Sequence, residues 1–120
     1  MSESVTLSAT QVLFAAAEGA PLDAATANDL LGEAWGAEAE LVAVPVARLA
    51  DGFLDLSTRI CGEVAQKFTN YRVRLALVGD IADRLEASRS LRDFVFESNK
   101  GRQVWFVRDR AELEARLASA

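Results

Sequence analysis

Asp55-Leu56-Ser57-Thr58-Arg59 holds the densest set of reactive side chains in the sequence: a carboxylate, two hydroxyls and a guanidinium. Apolar residues then recur at Ile60, Val64 and Phe68, so the set stands where a strand-like segment gives way to a helix of about four turns. Free amide N–H groups at such a junction, together with the helix dipole, attract an anion or a phosphoryl group. Phosphorylation of Ser57 or Thr58 would add roughly two negative charges beside Asp55, enough to repel an acidic partner. The same residue types also serve as plain N-caps, and both readings stand at this level.

A second set surrounds Asp80. It follows Gly79 at the end of a dense apolar run, and Ser90 and Arg92 open the next helical pattern. In open α/β sheets the carboxyl edge of the strands is where ligands bind. Asp80, Ser90 and Arg92, with Arg59, form a candidate pocket for a phosphate or carboxylate, arginine supplying bidentate contacts. Structural salt bridging is the alternative. Cys61 lies on the apolar stripe and reads as a small hydrophobe rather than a nucleophile. Glu63 and Glu97 are helical carboxylates with no spacing that pairs them for acid–base work. Lys67, Arg72 and Arg74 read as a solvated face, and Trp35, Trp105 and Phe106 as core or interface. An exposed Trp105 would mark a homodimer seam.

Composition narrows the chemistry further. The sequence contains no histidine, so no Ser-His-Asp or Cys-His pair can form and no imidazole can bind zinc. It calls for no metal and no cofactor. A single cysteine excludes an intramolecular disulfide, which suits a reducing cytoplasm. The net charge of −5 argues against a nucleic-acid partner, because phosphate neutralisation needs a basic patch. No apolar run approaches the roughly 20 residues that cross a bilayer. The N-terminus lacks a basic segment followed by an apolar block, so no secretory signal is expected.

The elements that must position these residues alternate in type. Residues 5–17 read as strand material with a hairpin turn over Ser8-Ala9-Thr10-Gln11, a helix through the alanines being the alternative. Asp23 is the expected N-cap of a helix reaching Gly36. Leu41–Val44 is a short buried strand ended by Pro45, and residues 46–52 are a connection. The run 73–79 is dense enough for a strand covered on both faces. Residues 80–87 fit either loop or short helix. Ser90 and Asp93 make a capping-box-like entry to a long helix, and Asn99-Lys100-Gly101 a left-handed exit. Val104–Val107 is the last strand, and Asp109 caps a final helix. Residues 1–120 therefore form one α/β domain, with fraying expected at 1–4 and 119–120. Its core is a mixed, mostly parallel sheet of about 4–5 strands with about 4 helices.

Two resemblances follow. The blocks Glu63–Asp80 and Ser90–Gly101 closely resemble the bacterial family catalogued as domain of unknown function 4180, which carries no activity over. More loosely, the element order is similar to that of STAS domains, the fold of anti-sigma-factor antagonists. There a strand ends in Asp-Ser-Ser/Thr-Gly and the next helix starts at a phosphorylatable Ser or Thr. Asp55 matches the Asp and Ser57 the phosphoacceptor, while Leu56 replaces the first Ser and Thr58 the Gly. The resemblance implies a cytoplasmic regulatory module, monomeric or homodimeric, that docks a protein partner near the start of the central helix. The competing expectation is a small-anion or small-molecule site, enzymatic or not, around Asp80, Ser90 and Arg92.

Overall fold

The order of the strands in space repeats their order in the chain, and that fact fixes where everything else sits. The structure, a computed structural model, describes residues 2–119. Strand β1 (Glu3–Leu7) runs antiparallel to β2 (Thr10–Phe14). Then β3 (Leu41–Pro45), β4 (Arg74–Val78) and β5 (Val104–Val107) add in succession, each parallel to the last. The register sets Val12 beside Leu41, Leu41 beside Arg74, and Leu75 beside Val104. The hairpin turn is tighter than expected. Ser8 and Ala9 alone make it, both at positive φ (48° and 67°), the backbone of a type I′ turn, so Thr10 and Gln11 belong to β2.

Helix α1 (Ala27–Gly36) connects β2 to β3, and α2 (Ile60–Asn70) connects β3 to β4. The next crossover holds α3 (Ala82–Ala87) and α4 (Arg89–Lys100), and α5 (Arg110–Ser119) follows β5. Residues 80–87 thus contain a short helix, one of five α-helices among the described residues. Right-handed crossovers that always advance in one direction must lay their helices on one face of the sheet. Accordingly Val42, Val44, Leu75, Leu77 and Phe106 pack against Leu30, Val64, Phe68 and Leu91 from α1, α2 and α4. The alternate residues Leu41, Ala43, Ala76, Trp105 and Val107 face the other way and pack with Leu113 and Leu117 of α5. Both faces are covered, which is why the strands read as continuous apolar runs.

Several boundaries differ from the sequence reading. Asp23 caps a turn leading into α1, its Oδ1 accepting from the amides of Ala25 and Thr26 at 2.9 and 3.0 Å. The N-cap of α4 is Ser88, whose hydroxyl accepts the Leu91 amide at 3.1 Å; Ser90 lies inside the helix. Gly101 leaves α4 in an extended conformation (φ −90°, ψ −160°), not the left-handed one. Glu3 and Ser4, expected to fray, pair with Phe14 and Leu13, and Ser119 ends α5. The expectations for Met1 and Ala120 lie outside the described residues.

Candidate functional site

Asp55 precedes a single 3-10 turn, Leu56–Thr58, and organises it. Its Oδ1 accepts the Ser57 amide at 3.0 Å and the Ser57 hydroxyl at 2.7 Å. The hydroxyl bond first, and the amide bond second, hold the Asp55 carboxyl below its ordinary pKa. Thr58 Oγ1 lies 2.8 Å from the carbonyl oxygens of both Gly52 and Asp55, and it accepts the Ile60 amide at 3.3 Å. Arg59 then takes a left-handed conformation (φ 66°) at the N-cap of α2. That residue breaks the helical path, so α2 starts at Ile60 and Ser57 sits one short turn ahead of it. The match to a helix opening at a phosphoacceptor is corrected to this extent. Asp55, Ser57, Thr58 and Arg59 all reach the surface.

Beside this turn runs an open groove of about 450 Å³ between α2 and α4, lined by Leu56, Arg59, Gly62, Glu63, Gln66 and Phe94. The Phe94 ring stands edge-on to the buried Phe106, centroids 6.1 Å apart, which roots this wall in the core. Gly62 forms part of the lining from inside α2. A Cβ built there would meet nothing within 4 Å, so packing inside the domain does not call for glycine.

The second set does not assemble. Asp80 is exposed, and its Oδ1 accepts the Ala82 amide at 2.9 Å, ordering the entry to α3. Arg92 turns back to that helix, donating to the carbonyls of Leu85 at 2.7 Å and Glu86 at 3.3 Å. A crevice of about 240 Å³ does adjoin Asp80, but Gly79, Val95, Asn99 and Arg108 are among its walls; Ser90, Arg92 and Arg59 are absent from them. The topology gives the reason. Deep crevices at the carboxyl edge open where the strand order reverses, and here it never does. Asn99 is the residue that sequence reasoning missed at this edge: its side chain accepts the Phe106 amide at 2.8 Å and donates to the Phe106 carbonyl at 3.2 Å.

The other residues named from the sequence have plainer roles. Cys61 is 2% exposed, and burial pushes its thiol up to about 11. Glu97 pairs with Lys100 at 3.3 Å on the surface. Arg74 is half-buried and not part of a solvated face. It stacks 4.5 Å over Trp105, whose ring also carries Arg116 at 4.3 Å, and burial lowers its pKa. Trp105 and Phe106 are buried, whereas Trp35 is 87% exposed at the end of α1. Beside Trp35 lies a larger cleft, about 760 Å³, between the C-termini of α1 and α2. Among the described residues no group of three or more His, Cys, Asp or Glu side chains is arranged to hold a metal ion. Among them, too, no helix is long and apolar enough to cross a membrane.

A five-stranded mixed sheet with three crossovers on one face and a single closing helix on the other defines a small α/β domain. The chain belongs to the family described as domain of unknown function DUF4180, whose model matches residues 7–117. Neither the curated proteins nor the solved structures include one that matches it.

Proposed function

We propose that this chain is a cytoplasmic regulatory module of STAS-like type that docks a protein partner in the groove at the start of α2. The single observation that carries the reading is Gly62. Gly62 stands in the first turn of α2, where glycine costs at most the roughly 1 kcal/mol against alanine of a helix interior. Open space surrounds its missing Cβ, so nothing within the domain offsets that cost. A bare groove wall lets a partner's backbone or apolar anchor approach α2 closely. Phe94 and Leu56 supply the apolar contact, and Arg59 and Glu63 supply charge at the rim. The exposed Asp55–Ser57 turn beside the groove is the natural control point, since a phosphoryl group on Ser57 would remove its bond to Asp55 and set two anions against each other. The anion site built on Asp80, Ser90 and Arg92 draws no comparable support, because Arg92 already serves the carbonyls of α3.

Affinity purification of the tagged chain from its native cells tests this. Wild type is expected to retain a stoichiometric protein partner that Gly62→Gln, Arg59→Glu and Ser57→Asp each lose. Gly62→Gln should lose it while folding at least as stably as wild type. Absence of a partner, or one held equally by all three variants, overturns the reading.

A further inference from the structure

The cleft between the ends of α1 and α2 lies at the amino edge of the sheet, the opposite end of α2 from the docking groove. Both helices end there in the same way. In α1 the Glu38 amide returns to the Trp35 carbonyl at 3.1 Å and the Ala39 amide to Ala34 at 2.8 Å. In α2 the Arg72 amide returns to Thr69 and the Val73 amide to Phe68, both at 3.0 Å. These are paired Schellman motifs, and each holds a charged residue at the left-handed position that usually takes glycine: Glu38 at φ 56° and Arg72 at φ 59°. Glu38 and Arg72 line the same cleft, one from each helix. They do not pair with each other; among the described residues the ion pairs are Lys100–Glu97 and Arg110–Glu3.

The aromatic residues beside them are equally unengaged. Trp35 is 87% exposed and Tyr71 64% exposed, and both line the cleft. Gly32, inside α1 and also in the lining, has nothing within 4 Å of the place a Cβ would occupy, so the cleft stays open despite the loss of helix propensity. Trp, Tyr and Arg are the residue types that dominate protein interfaces energetically. A projecting Trp35 beside an open cleft, with one acidic and one basic rim residue, is complementary to itself. A two-fold interface requires that property, because residue i must meet j while j meets i.

We propose that this face is the interface of a symmetric homodimer, in which Trp35 of each chain enters the cleft of the other and Glu38 of each meets Arg72 of its mate. The dimer would leave both α2 docking grooves free at the far end, making the module bivalent; it does not depend on the docking proposal.

Sedimentation equilibrium on the full chain, at concentrations up to about 1 mM, tests it. Wild type is expected at twice the 13.0 kDa chain mass. Trp35→Ala should raise the dissociation constant at least about tenfold. Glu38→Arg alone and Arg72→Glu alone should each weaken self-association, whereas mixing these two variants should restore a dimer, because the mixed pair places opposite charges at both contacts. Far-UV circular dichroism confirms that each variant is folded. A monomer throughout the range, a dimer indifferent to Trp35→Ala, or a failure of the mixture to associate overturns the proposal.

Discussion

The Ser57 hydroxyl donates to Asp55 at 2.7 Å, to the same Oδ1 that receives the Ser57 amide at 3.0 Å. Two donors on one oxygen favour the ionised carboxylate, which is why Asp55 titrates below its ordinary value. Ser57→Ala removes the larger of the two contributions and leaves the amide bond. The Asp55 pKa is then expected to rise part of the way back, read from the pH dependence of its carboxyl carbon shift by NMR. A carboxylate more acidic in the folded chain adds stability above its unfolded pKa and loses it as pH falls through the folded one. Asp55 therefore supports the loop at neutral pH and loses that contribution only as pH falls below the ordinary aspartate range and through its own lower pKa. An Asp55 titration identical in Ser57→Ala and wild type would contradict this assignment.

The two serines at the entry to α4 differ in role although they stand two residues apart. Ser88 accepts the Leu91 amide and satisfies an otherwise unpaired donor of the first turn. Ser90 is exposed within the helix. Ser88→Ala should cost about 1 kcal/mol in urea unfolding, and Ser90→Ala less than about 0.5 kcal/mol. The reverse ranking would place the cap at Ser90.

Gly79 follows β4 at φ 152°, and a Cβ there would lie 2.8 Å from Val46 Cγ2 and 2.9 Å from Val46 Cβ. Backbone strain and overlap act together, so Gly79→Ala is expected to cost about 2–4 kcal/mol. Val46→Ala in the same chain removes the Cγ2 contact but leaves both the Cβ contact at 2.9 Å and the strain. The double variant should therefore be more stable than the sum of the single losses implies, and equilibrium denaturation of the four proteins measures that coupling. Strict additivity would show that the overlap with Val46 Cγ2 is not the cause.

The parts of this fold that were legible are those governed by periodicity. The runs at Leu41–Val44 and Val104–Val107 declared buried strands, and Ile60, Val64 and Phe68 declared the inner face of α2. What stayed illegible depends on single backbone angles or on how far an element projects. Nothing in Ser8-Ala9 announces two positive φ values, nor in Arg59 the left-handed residue that delays α2. Trp35 lies one turn beyond Leu31 on the apolar stripe and reads as core or interface; Leu31 is buried and Trp35 is not, which leaves only the second. Periodicity places a residue on a face; it does not say where the opposing layer ends. Of the candidate sites, the Asp55–Thr58 turn was visible because capping chemistry is local. The dispersal of Asp80, Ser90 and Arg92 was not, because it follows from the strand order of the whole sheet. Gly62 and Gly32, interrupting otherwise helical patterns, were the available signals for the two grooves.

Cys61 offers a test of the core from the alkaline side. Its thiol is buried against the sheet and titrates near about 11, raised from 9.0 by desolvation alone. Between those values the unfolded chain gives up its proton and the folded chain keeps it, so the folded state loses stability as pH rises through that window. The loss should reach on the order of 2 kcal/mol by pH 11. Cys61→Ala will be less stable at neutral pH because it leaves a cavity, but it lacks this ionisation, so its stability should fall less steeply above pH 9. Urea unfolding of both proteins from about pH 8 to about pH 11 gives the comparison. Parallel curves would mean that the Cys61 thiolate is accommodated in the folded chain, and that the inner face of α2 is wetter than the burial of Cys61, Val64 and Phe68 requires.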